Sequence, residues 1–414
     1  MSTAESLGVW LGDHHRADLK VGRRGELSLA YTRDVQAEFG IGALCLGVGL
    51  PVAAKAYVGE RVDRWANGIL PEGEARTLLE DHFGVRRGDT WGLLRALGRD
   101  CAGAISFYPD GRAPTAPGPA TPIGSDTLAA AITDLPVHPL GAHDDTPVSL
   151  AGLQAKLLLV ETNDGWARPT NGQPSTHILK PDPFSHQGLV AAEALCLRAA
   201  TYAGIDAATV SVEPIGGRDV LIVERFDRRV VGGHIERLHQ EDCGQALGCD
   251  PARDGKYQRR GRQLPTLAAI AQVLTDHSID VYTEHVKLAK LMTLNIAAGN
   301  TDAHARNHGL LIADGAARLA PAYDVAPTIE FSNTNHAALW VSGQDRLEQI
   351  LGVHLRLEAA SWGPLRHDAG EVIATTATRL AEAFEAAHAD FPIVSDHIVQ
   401  RMRERAHKLG ETAA

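Results

Sequence analysis

The sequence predicts an α+β fold with a small strand-rich lobe, a larger helical lobe and an additional N-terminal α+β domain. The chain has 414 residues, more than the roughly 250–300 at which a single hydrophobic core stops growing. Strand and helix signals alternate at first, strands then prevail up to about residue 229, and helices follow. A proline-rich stretch separates the first part from the rest. We therefore expect an N-terminal domain at 1–110, a linker at 111–124, the small lobe at 125–229 and the helical lobe at 230–414.

The N-terminal domain shows the signals of mixed secondary structure. Its strand-like runs alternate apolar with polar or small residues, and its helix-like runs repeat apolar residues at helical spacing. The predicted strands are Gly8–Leu11, Leu27–Tyr31 and Cys101–Tyr108, and the predicted helices are Arg61–Gly68, Glu74–His82 and Trp91–Leu97.

The linker and the small lobe follow. Alternating prolines and small residues favour an extended, poorly packed connector, and a helix begins at Ser125 and ends near Leu135. Aliphatic or β-branched runs bounded by turn residues predict strands, and Gly204 marks the end of one long helix. The predicted strands are Lys156–Glu161, His177–Lys180 and Val220–Glu224, and the long helix is Leu189–Tyr202.

The helical lobe has three clear signals. Apolar residues at i, i+3, i+4 and i+8 predict a helix over Thr283–Ala298. An Asp-Gly turn between Gly309–Ile312 and Arg318–Ala320 predicts a hairpin. The tail from about 368 to 408 is expected to be helical, with a break at Pro392.

Composition excludes several classes of protein. The 40 Lys and Arg against 51 Asp and Glu give a formal net charge of −11, so the whole molecule does not attract nucleic acid, and DNA contact requires a local basic patch or a partner. The 5 cysteines lack C-x-x-C spacing, which predicts neither a disulfide framework nor a zinc site. No export signal and no run of about 20 apolar residues is present. We therefore expect a reduced, cytoplasmic protein without a membrane partner.

Asp302 and Asn307 form the most informative motif. Their D-x-x-x-x-N spacing is that of a protein-kinase catalytic loop, in which the Asp accepts the proton of the substrate hydroxyl and the Asn ligates Mg²⁺. Asp324 follows the predicted hairpin, where a second metal-binding carboxylate would face this loop. Oxygen ligands suit Mg²⁺ because it is a hard cation. The motif predicts phosphoryl transfer.

Two further charged residues support this prediction. Lys180 ends a predicted strand, as a phosphate-binding lysine does, and Glu193 lies in the long helix, where it can pair with Lys180. The loop Ser149–Lys156 leads into an apolar strand, but it contains a single glycine. Its composition alone does not identify a phosphate loop.

Several short segments carry a more specific signal when they are taken in order: Asn67-Gly-Ile-Leu-Pro71, Gly98-Arg-Asp100, Gly103-Ala104, Ser149–Lys156, Thr176–Lys180, Val223–Arg229, Gln240-Glu-Asp242, Thr301–Asn307 and Tyr323-Asp324-Val325. Over nearly the whole chain they resemble the HipA-type serine/threonine kinases, the toxins of bacterial HipBA toxin–antitoxin modules. The resemblance implies a two-lobed protein-kinase-like fold with a family-specific N-terminal domain, in which 125–229 and 230–414 are the kinase N-lobe and C-lobe.

The resemblance implies a role for each matching residue. Asp302 is expected to be the catalytic base, Asn307 and Asp324 to bind Mg²⁺, and Lys180 to contact the ATP phosphates. The other expected ATP-binding residues are Ser149, Ala151, Gly152, Leu153, Gln154 and Lys156 of the phosphate loop, Glu224 and Phe226 of the hinge that holds adenine, and Gln240, His304 and Tyr323.

The resemblance also implies ATP and Mg²⁺ as cofactors and several partners. These are a helix-turn-helix antitoxin similar to HipB, operator DNA contacted mainly through that antitoxin, and a protein substrate, with aminoacyl-tRNA synthetases as known substrates of the family. Ser149 matches the serine that such kinases autophosphorylate. A phosphate there carries about −1.5 to −2 charges, which would repel ATP and inactivate the kinase.

The sequence departs from the family pattern at two places. Lys256-Tyr257 is followed by Gln-Arg-Arg-Gly-Arg-Gln-Leu-Pro265 where family members usually carry D-G-G-P, and we expect this to change the loop conformation rather than the chemistry. Arg306 stands where the family often has lysine, which changes the donor geometry. The basic run at 253–262 fits either a solvated loop or a phosphate-binding patch.

Two other functions remain open from the residues alone. A pseudokinase that acts as a DNA-binding corepressor with its partner would commonly lack the lysine, the base or the metal carboxylate, and all three are present here. A metal-dependent phosphoesterase using Asp302, His304 and Asp324 would leave Lys180 and the hinge without a role. The sequence therefore favours a growth-arresting protein serine/threonine kinase.

Overall fold

A computed structural model describes most of the chain, and its strands and helices confirm the predicted α+β class. The described residues are 5–109, 112–114, 118–136, 138–140, 155–170, 172–250, 256–261 and 265–413.

An antiparallel sheet in the order β4-β3-β2-β1-β5 forms the N-terminal part. Leu29 of this sheet packs with Trp65 and Leu94 in a hydrophobic core that also includes Leu158 of the small lobe. The strand predicted at Cys101–Tyr108 begins only at Ile105, because the preceding residues turn toward the small lobe. The elements are β1 (Ser6–Leu11), β2 (His14–Val21), β3 (Leu27–Tyr31), α1 (Arg33–Phe39), β4 (Tyr57–Val58), α2 (Glu60–Ile69), α3 (Gly73–His82), α4 (Thr90–Leu97) and β5 (Ile105–Pro109).

The small lobe is an antiparallel sheet in the order β10-β11-β9-β7-β8-β6, with two helices. Thr121 and Pro122 of the predicted linker pair with β8, so the end of the linker belongs to this sheet. Lys180 lies opposite Leu221 between two neighbouring strands. The elements are β6 (Thr121–Pro122), α5 (Ser125–Asp134), β7 (Leu157–Thr162), β8 (Gly165–Arg168), β9 (His177–Pro181), α6 (Leu189–Tyr202), β10 (Val210–Ile215) and β11 (Arg218–Glu224).

The helical lobe contains the remaining elements. They are β12 (Arg228–Val231), β13 (His234–Arg237), β14 (Gln240–Asp242), α7 (Cys243–Ala246), α8 (Leu267–His277), α9 (Val281–Ala298), β15 (Gly309–Ala313), β16 (Ala316–Leu319), β17 (His336–Val341), β18 (Gln344–Arg346), α10 (Gly352–Ser361), α11 (Ala369–Asp390) and α12 (Asp396–Glu411), with short 3-10 helices at Ala305–Asn307, Thr328–Glu330 and Leu347–Gln349.

Local signals locate most of these helix ends correctly. α6 is followed by Gly204 at φ +75°, as predicted. α9 begins earlier than predicted because Asp280 caps it, accepting the N–H of Thr283 at 3.1 Å. The predicted hairpin is β15–β16, in which Asp314 and Gly315 both have positive φ.

The main core joins the helical lobe to α6. Leu195 of α6, Leu294 of α9, Phe384 of α11 and Met402 of α12 are fully or almost fully buried in it. The loop that follows α9 therefore starts from a rigid position. Within the described part of the chain, no helix combines the length and the apolar character that crossing a membrane requires.

Candidate active site

A cavity of about 330 Å³ lies where the small lobe, the helical lobe and the N-terminal part meet. All the predicted site residues that the structure describes line it: Lys156, Lys180, Glu224, Phe226, Gln240, Asp302, His304, Asn307, Tyr323 and Asp324. The remaining predicted residues, Ser149, Ala151, Gly152, Leu153 and Gln154, lie outside the described residues.

Lys180 is the central cation of this cavity. Its Nζ donates to Glu193 Oε1 at 2.9 Å and to Asp324 Oδ1 at 2.8 Å. The pairing with Glu193 is predicted by the sequence, and the contact with Asp324 is not. Burial alone would lower the pKa of Lys180, but the two carboxylates outweigh burial and raise it. Lys180 therefore keeps its positive charge, and its ammonium group contacts Asp324, which is predicted to bind Mg²⁺.

Lys156 is a second buried cation in the same cavity. Burial, followed by the nearby charge of Lys180, lowers the pKa of Lys156 to about 8. The two ammonium groups would repel each other less if an anion lay between them. The pair therefore suits a phosphate ligand.

Asp302 lies in the loop that follows α9. Its N–H donates to Asn300 Oδ1 at 3.0 Å, which fixes the backbone. The side chain is 42% exposed, and partial burial raises the pKa of its carboxyl group above the ordinary value. A general base works best when its pKa lies closer to the operating pH. Asp302 thus has the exposure and the basicity that a proton acceptor requires.

Asn307 and Asp324 supply oxygen atoms to one side of the cavity. The Nδ2 group of Asn307 donates to the carbonyl of Asp302 at 2.9 Å, so Oδ1 is the end of this amide suited to a cation. Burial alone would raise the pKa of Asp324, but Lys180 outweighs it and holds that pKa well below its usual range. An amide oxygen and an ionised carboxylate fit a hard cation such as Mg²⁺, which takes its other ligands from phosphates and water.

Asp324 also has an unusual backbone conformation. Its φ is +56°, a left-handed value that is uncommon for residues other than glycine. Such strain persists where the surrounding structure determines it, and it is frequent at functional sites. The bond to Lys180 helps to hold this conformation.

His304 is a buried, neutral imidazole. Burial, followed by the charge of Lys256, lowers the pKa of His304 to about 3. Its Nδ1 is buried and has no hydrogen-bond partner among the described residues. Because an unpaired buried polar atom is costly, this nitrogen is suited to bind a ligand in the cavity.

The segment predicted to be the hinge follows β11. The N–H groups of Glu224 and Arg225 donate to carbonyl groups of neighbouring segments at 3.0 and 2.9 Å, which fixes this backbone. The rings of Phe226 and Tyr323 have centroids 5.6 Å apart and an interplanar angle of 32°. The two rings form an aromatic wall against which a flat base can pack.

A buried charge cluster joins this hinge to the N-terminal part of the chain. Arg225 donates to Asp227 through Nε at 2.9 Å and through Nη2 at 2.8 Å, and Arg228 donates to Asp100 at 2.9 Å. The N–H of Gly103 donates to Asp227 at 2.6 Å. All four charged side chains are at most 4% exposed. Because buried charges are tolerated only when they are paired, this cluster fixes the hinge relative to the N-terminal sheet.

Arg306 joins the catalytic loop to the N-terminal part. Its Nε donates to Asp242 at 2.9 Å, its Nη2 donates to the carbonyl of Gly68 at 2.6 Å, and its Nη1 pairs with Glu72. Gly68 and Glu72 themselves line the cavity. The three acceptors are reached by three different nitrogens of one planar fork, a geometry that a guanidinium has and a lysine ammonium lacks, which gives arginine a structural reason at this position.

Sequence reasoning missed these contacts. Gly98-Arg-Asp100 and Val223–Arg229 both carry the family resemblance, but Gly103 and Asp227 lie 124 residues apart. Spacing along one chain does not reveal such a pairing. The sequence offered one signal for these contacts: charged residues stand directly beside apolar strands, where a buried charge needs a partner.

The segment that begins at Lys256 contacts the predicted base. The hydroxyl of Tyr257 donates to Asp302 Oδ1. Tyr257 belongs to the part that follows the family pattern, and the departure begins only at Gln258, so the expectation that the departure changes the loop conformation rather than the chemistry stays a prediction. The ring of Tyr257 packs edge-on against His304, with centroids 5.6 Å apart. Arg253 and Arg262 of the basic run lie outside the described residues.

Comparison with known proteins adds family evidence to this geometry. Residues 148–389 match the family model described as the HipA-like C-terminal domain, and residues 7–108 match the HipA N-terminal domain. The chain is 33% identical over 336 residues to the putative kinase Y4mE of Sinorhizobium fredii, covering 80% of this chain and 79% of that protein. It is 30% identical over 344 residues to the serine/threonine-protein kinase toxin HipA of Shewanella oneidensis, covering 78% and 76%.

A solved structure shows the same fold. It contains HipA, HipB and operator DNA of the Shewanella oneidensis MR-1 toxin–antitoxin system. The TM-score is 0.82 at 23% sequence identity, over 98% of this chain and 96% of that chain. The two-lobed architecture with an additional N-terminal domain is therefore confirmed.

Proposed function

Because this chain belongs to the HipA family of serine/threonine-protein kinase toxins, we propose that it uses ATP and Mg²⁺ to phosphorylate another protein and thereby arrests growth. The observation that carries this proposal is the meeting of Lys180, Glu193 and Asp324 in the cavity that also contains Asp302 and Asn307. Phosphoryl transfer depends almost entirely on positioning and on charge stabilisation. These residues supply both.

Each residue has a distinct task in the proposed reaction. Asp302 accepts the proton of a serine or threonine hydroxyl, whose oxygen forms a bond to the γ-phosphorus while the bond to the leaving ADP oxygen breaks. Lys180, oriented by Glu193, holds the phosphates. Asn307 and Asp324 would hold Mg²⁺, which would supply positive charge to neutralise the phosphate oxygens.

The nucleotide takes the rest of the cavity. We assign adenine to the wall formed by Phe226 and Tyr323, with the backbone of Glu224 and Phe226 as the hinge and with Gln240 and His304 near the nucleotide. The phosphate loop at Ser149–Lys156, including Ala151, Gly152, Leu153 and Gln154, is proposed from the family resemblance.

Replacing Asp324 by asparagine is expected to weaken Mg²⁺–ATP binding by at least about tenfold, because it removes a charged metal ligand and one partner of Lys180. Calorimetry with and without Mg²⁺ measures this loss. Asp276→Asn, which changes an exposed carboxylate, is the control. An unchanged Mg²⁺–ATP affinity in Asp324→Asn would exclude Asp324 as a metal ligand.

Ser149 is the proposed autophosphorylation site. After incubation of the purified chain with Mg²⁺–ATP, mass spectrometry is expected to find phosphate on Ser149. The phosphorylated species should bind ATP more weakly, because its negative charge lies beside the nucleotide phosphates. Ser149→Ala should lack this modification. An unmodified Ser149, or full ATP affinity in the phosphorylated species, contradicts self-inactivation.

The proposed partners are a helix-turn-helix antitoxin that relieves growth arrest, operator DNA bound mainly through that antitoxin, and a protein substrate, for which an aminoacyl-tRNA synthetase is our candidate.

The decisive experiment is phosphoproteomics after brief induction of the wild-type chain and of Asp302→Ala. A phosphosite specific to the wild type supports the kinase. Identical phosphoproteomes, with repression of the operator retained, support the pseudokinase alternative.

A further inference from the structure

Tyr257 occupies Oδ1 of Asp302, one of the two carboxylate oxygens to which a substrate hydroxyl can donate. Its phenol hydroxyl donates to Asp302 Oδ1, and an acceptor serine or threonine must make the same hydrogen bond before it loses its proton. His304 packs against the ring. The next residue, Gln258, donates its N–H to the carbonyl of Ala338 at 2.9 Å, which fixes the backbone. A hydroxyl group of the protein itself thus engages one oxygen of the proposed base.

A second cavity, of about 680 Å³, opens beside this bond. It meets the nucleotide cavity at Asp302 and Tyr257, which line both. Phe331 and Trp340 give it apolar surface, and Asp345 gives it a charged group. Apolar and charged side chains beside strand β17 suit an extended polypeptide segment, whose backbone and side chains need both kinds of contact.

We propose that this second cavity, here named the acceptor cavity, binds the serine- or threonine-bearing segment of the substrate protein, and that Tyr257 is a gate whose hydroxyl the substrate hydroxyl displaces from Asp302. The inference rests on the proposed kinase function and deepens it, because it says where the protein substrate enters.

The gate requires only a rotation of one side chain. The Tyr257 side chain has two main torsions, and the residue is 36% exposed, so the ring has space to turn toward solvent. The nucleotide does not need Asp302 for binding. The gate should therefore affect the binding of the acceptor and leave the binding of ATP unchanged.

Tyr257→Phe tests the gate because it keeps the ring and removes only the hydroxyl. With β-casein as the acceptor protein, the KM for casein is expected to fall by about tenfold, since a hydrogen bond to a charged group no longer has to be broken. The KM for ATP should stay within about twofold. An unchanged or higher casein KM, a lower kcat, or phosphate found on Tyr257 itself would each overturn the proposal.

Thr334→Trp tests the acceptor cavity. Thr334 lines this cavity and is exposed, so a large side chain there should fill the space without disturbing the core. The casein KM is expected to rise at least about fivefold at constant ATP KM, because the space for the acceptor is lost. Asn333→Trp, at an exposed neighbour outside the cavity lining, is the matched control. Equal casein KM values for the two variants would refute the cavity assignment.

The experiments distinguish a failure of the proposed kinase function from a failure of the proposed Tyr257 gate. If neither the wild type nor Tyr257→Phe transfers phosphate from ATP and neither binds Mg²⁺–ATP, the kinase function itself is wrong. If the wild type transfers phosphate and Tyr257→Phe leaves the casein KM unchanged, only the gate is refuted. Activity confined to Tyr257→Phe would support both.

Discussion

Replacing Asp302 by alanine is expected to lower the rate of phosphoryl transfer by about 10²–10⁴-fold, the usual contribution of a positioned general base. ATP affinity should stay within about twofold, because Asp302 acts on the acceptor hydroxyl and not on the nucleotide. The fixed backbone of the loop supports this separation, since the N–H of Asp302 donates to Asn300 and is retained in the variant. Initial rates of casein phosphorylation and calorimetric ATP binding measure the two quantities.

Asp164→Ala is the control for Asp302→Ala. Asp164 is an exposed carboxylate in the turn between β7 and β8, far from the cavity lining. Its removal should change neither rate nor affinity. Near-normal phosphorylation by Asp302→Ala would eliminate Asp302 as the base.

Replacing Asp100 by asparagine is expected to lower the free energy of unfolding by about 3–5 kcal/mol, the usual cost of removing one partner from a buried ion pair. Asp100 Oδ2 accepts from the N–H of Ser175 at 3.0 Å and from its hydroxyl at 2.7 Å, and Arg228 donates to Oδ1 at 2.9 Å. Without this carboxylate, Arg225 and Arg228 share Asp227 as their buried counter-ion. Urea denaturation at pH 7 measures the change.

Asp81→Asn is the matched control for Asp100→Asn. Asp81 pairs with Arg87 at 2.6 Å, but both side chains are more than half exposed. Such surface pairs contribute about 0–1 kcal/mol, so this variant should unfold almost as the wild type does. Equal stability of the two variants would show that the buried cluster does not hold the N-terminal part to the hinge.

The stabilisation by Asp100 should depend on pH with a definite sign. Burial alone would raise the pKa of Asp100, but Arg228, Arg225 and Arg237 outweigh it and hold that pKa below its ordinary value. In the unfolded chain the carboxyl group has its ordinary pKa of about 3.9. The contribution is therefore fully present above about pH 4 and is lost as the pH falls through the lower folded-state pKa. The stability difference between wild type and Asp100→Asn should shrink in acid, and a constant difference would contradict this linkage.

Asp100 and Gly103 of the N-terminal part contact the hinge cluster, and Gly68, Glu72 and Ala102 line the cavity proposed to bind ATP. Arg306 extends this contribution to the catalytic loop through Gly68 and Glu72. The N-terminal part thus contacts both sides of the proposed ATP site. The loop that contains Asp302 and Asn307 therefore forms only part of the lining of this cavity.

The sequence by itself determined the features that are encoded locally. Gly204 marked the end of α6, apolar periodicity predicted α9, and turn residues predicted the β15–β16 hairpin. The spacing between Asp302 and Asn307 indicated a kinase-type loop, whose catalytic role stays a prediction. The sequence also predicted the pairing of Lys180 with Glu193. Lys180 lies in a strand and Glu193 in the helix that follows it, and consecutive elements of this kind pack against each other. In each case the signal extends over a few residues or over consecutive elements, where the geometry of the backbone fixes the relation between side chains.

Only the tertiary structure decided the contacts that join distant segments. The bond of Lys180 to Asp324 spans 144 residues, that of Tyr257 to Asp302 spans 45, and that of Arg228 to Asp100 spans 128. No periodicity relates such residues. Their meeting depends on how the hydrophobic cores of three parts of the chain pack together. Packing is the sum of many weak contacts, which the sequence does not show one by one.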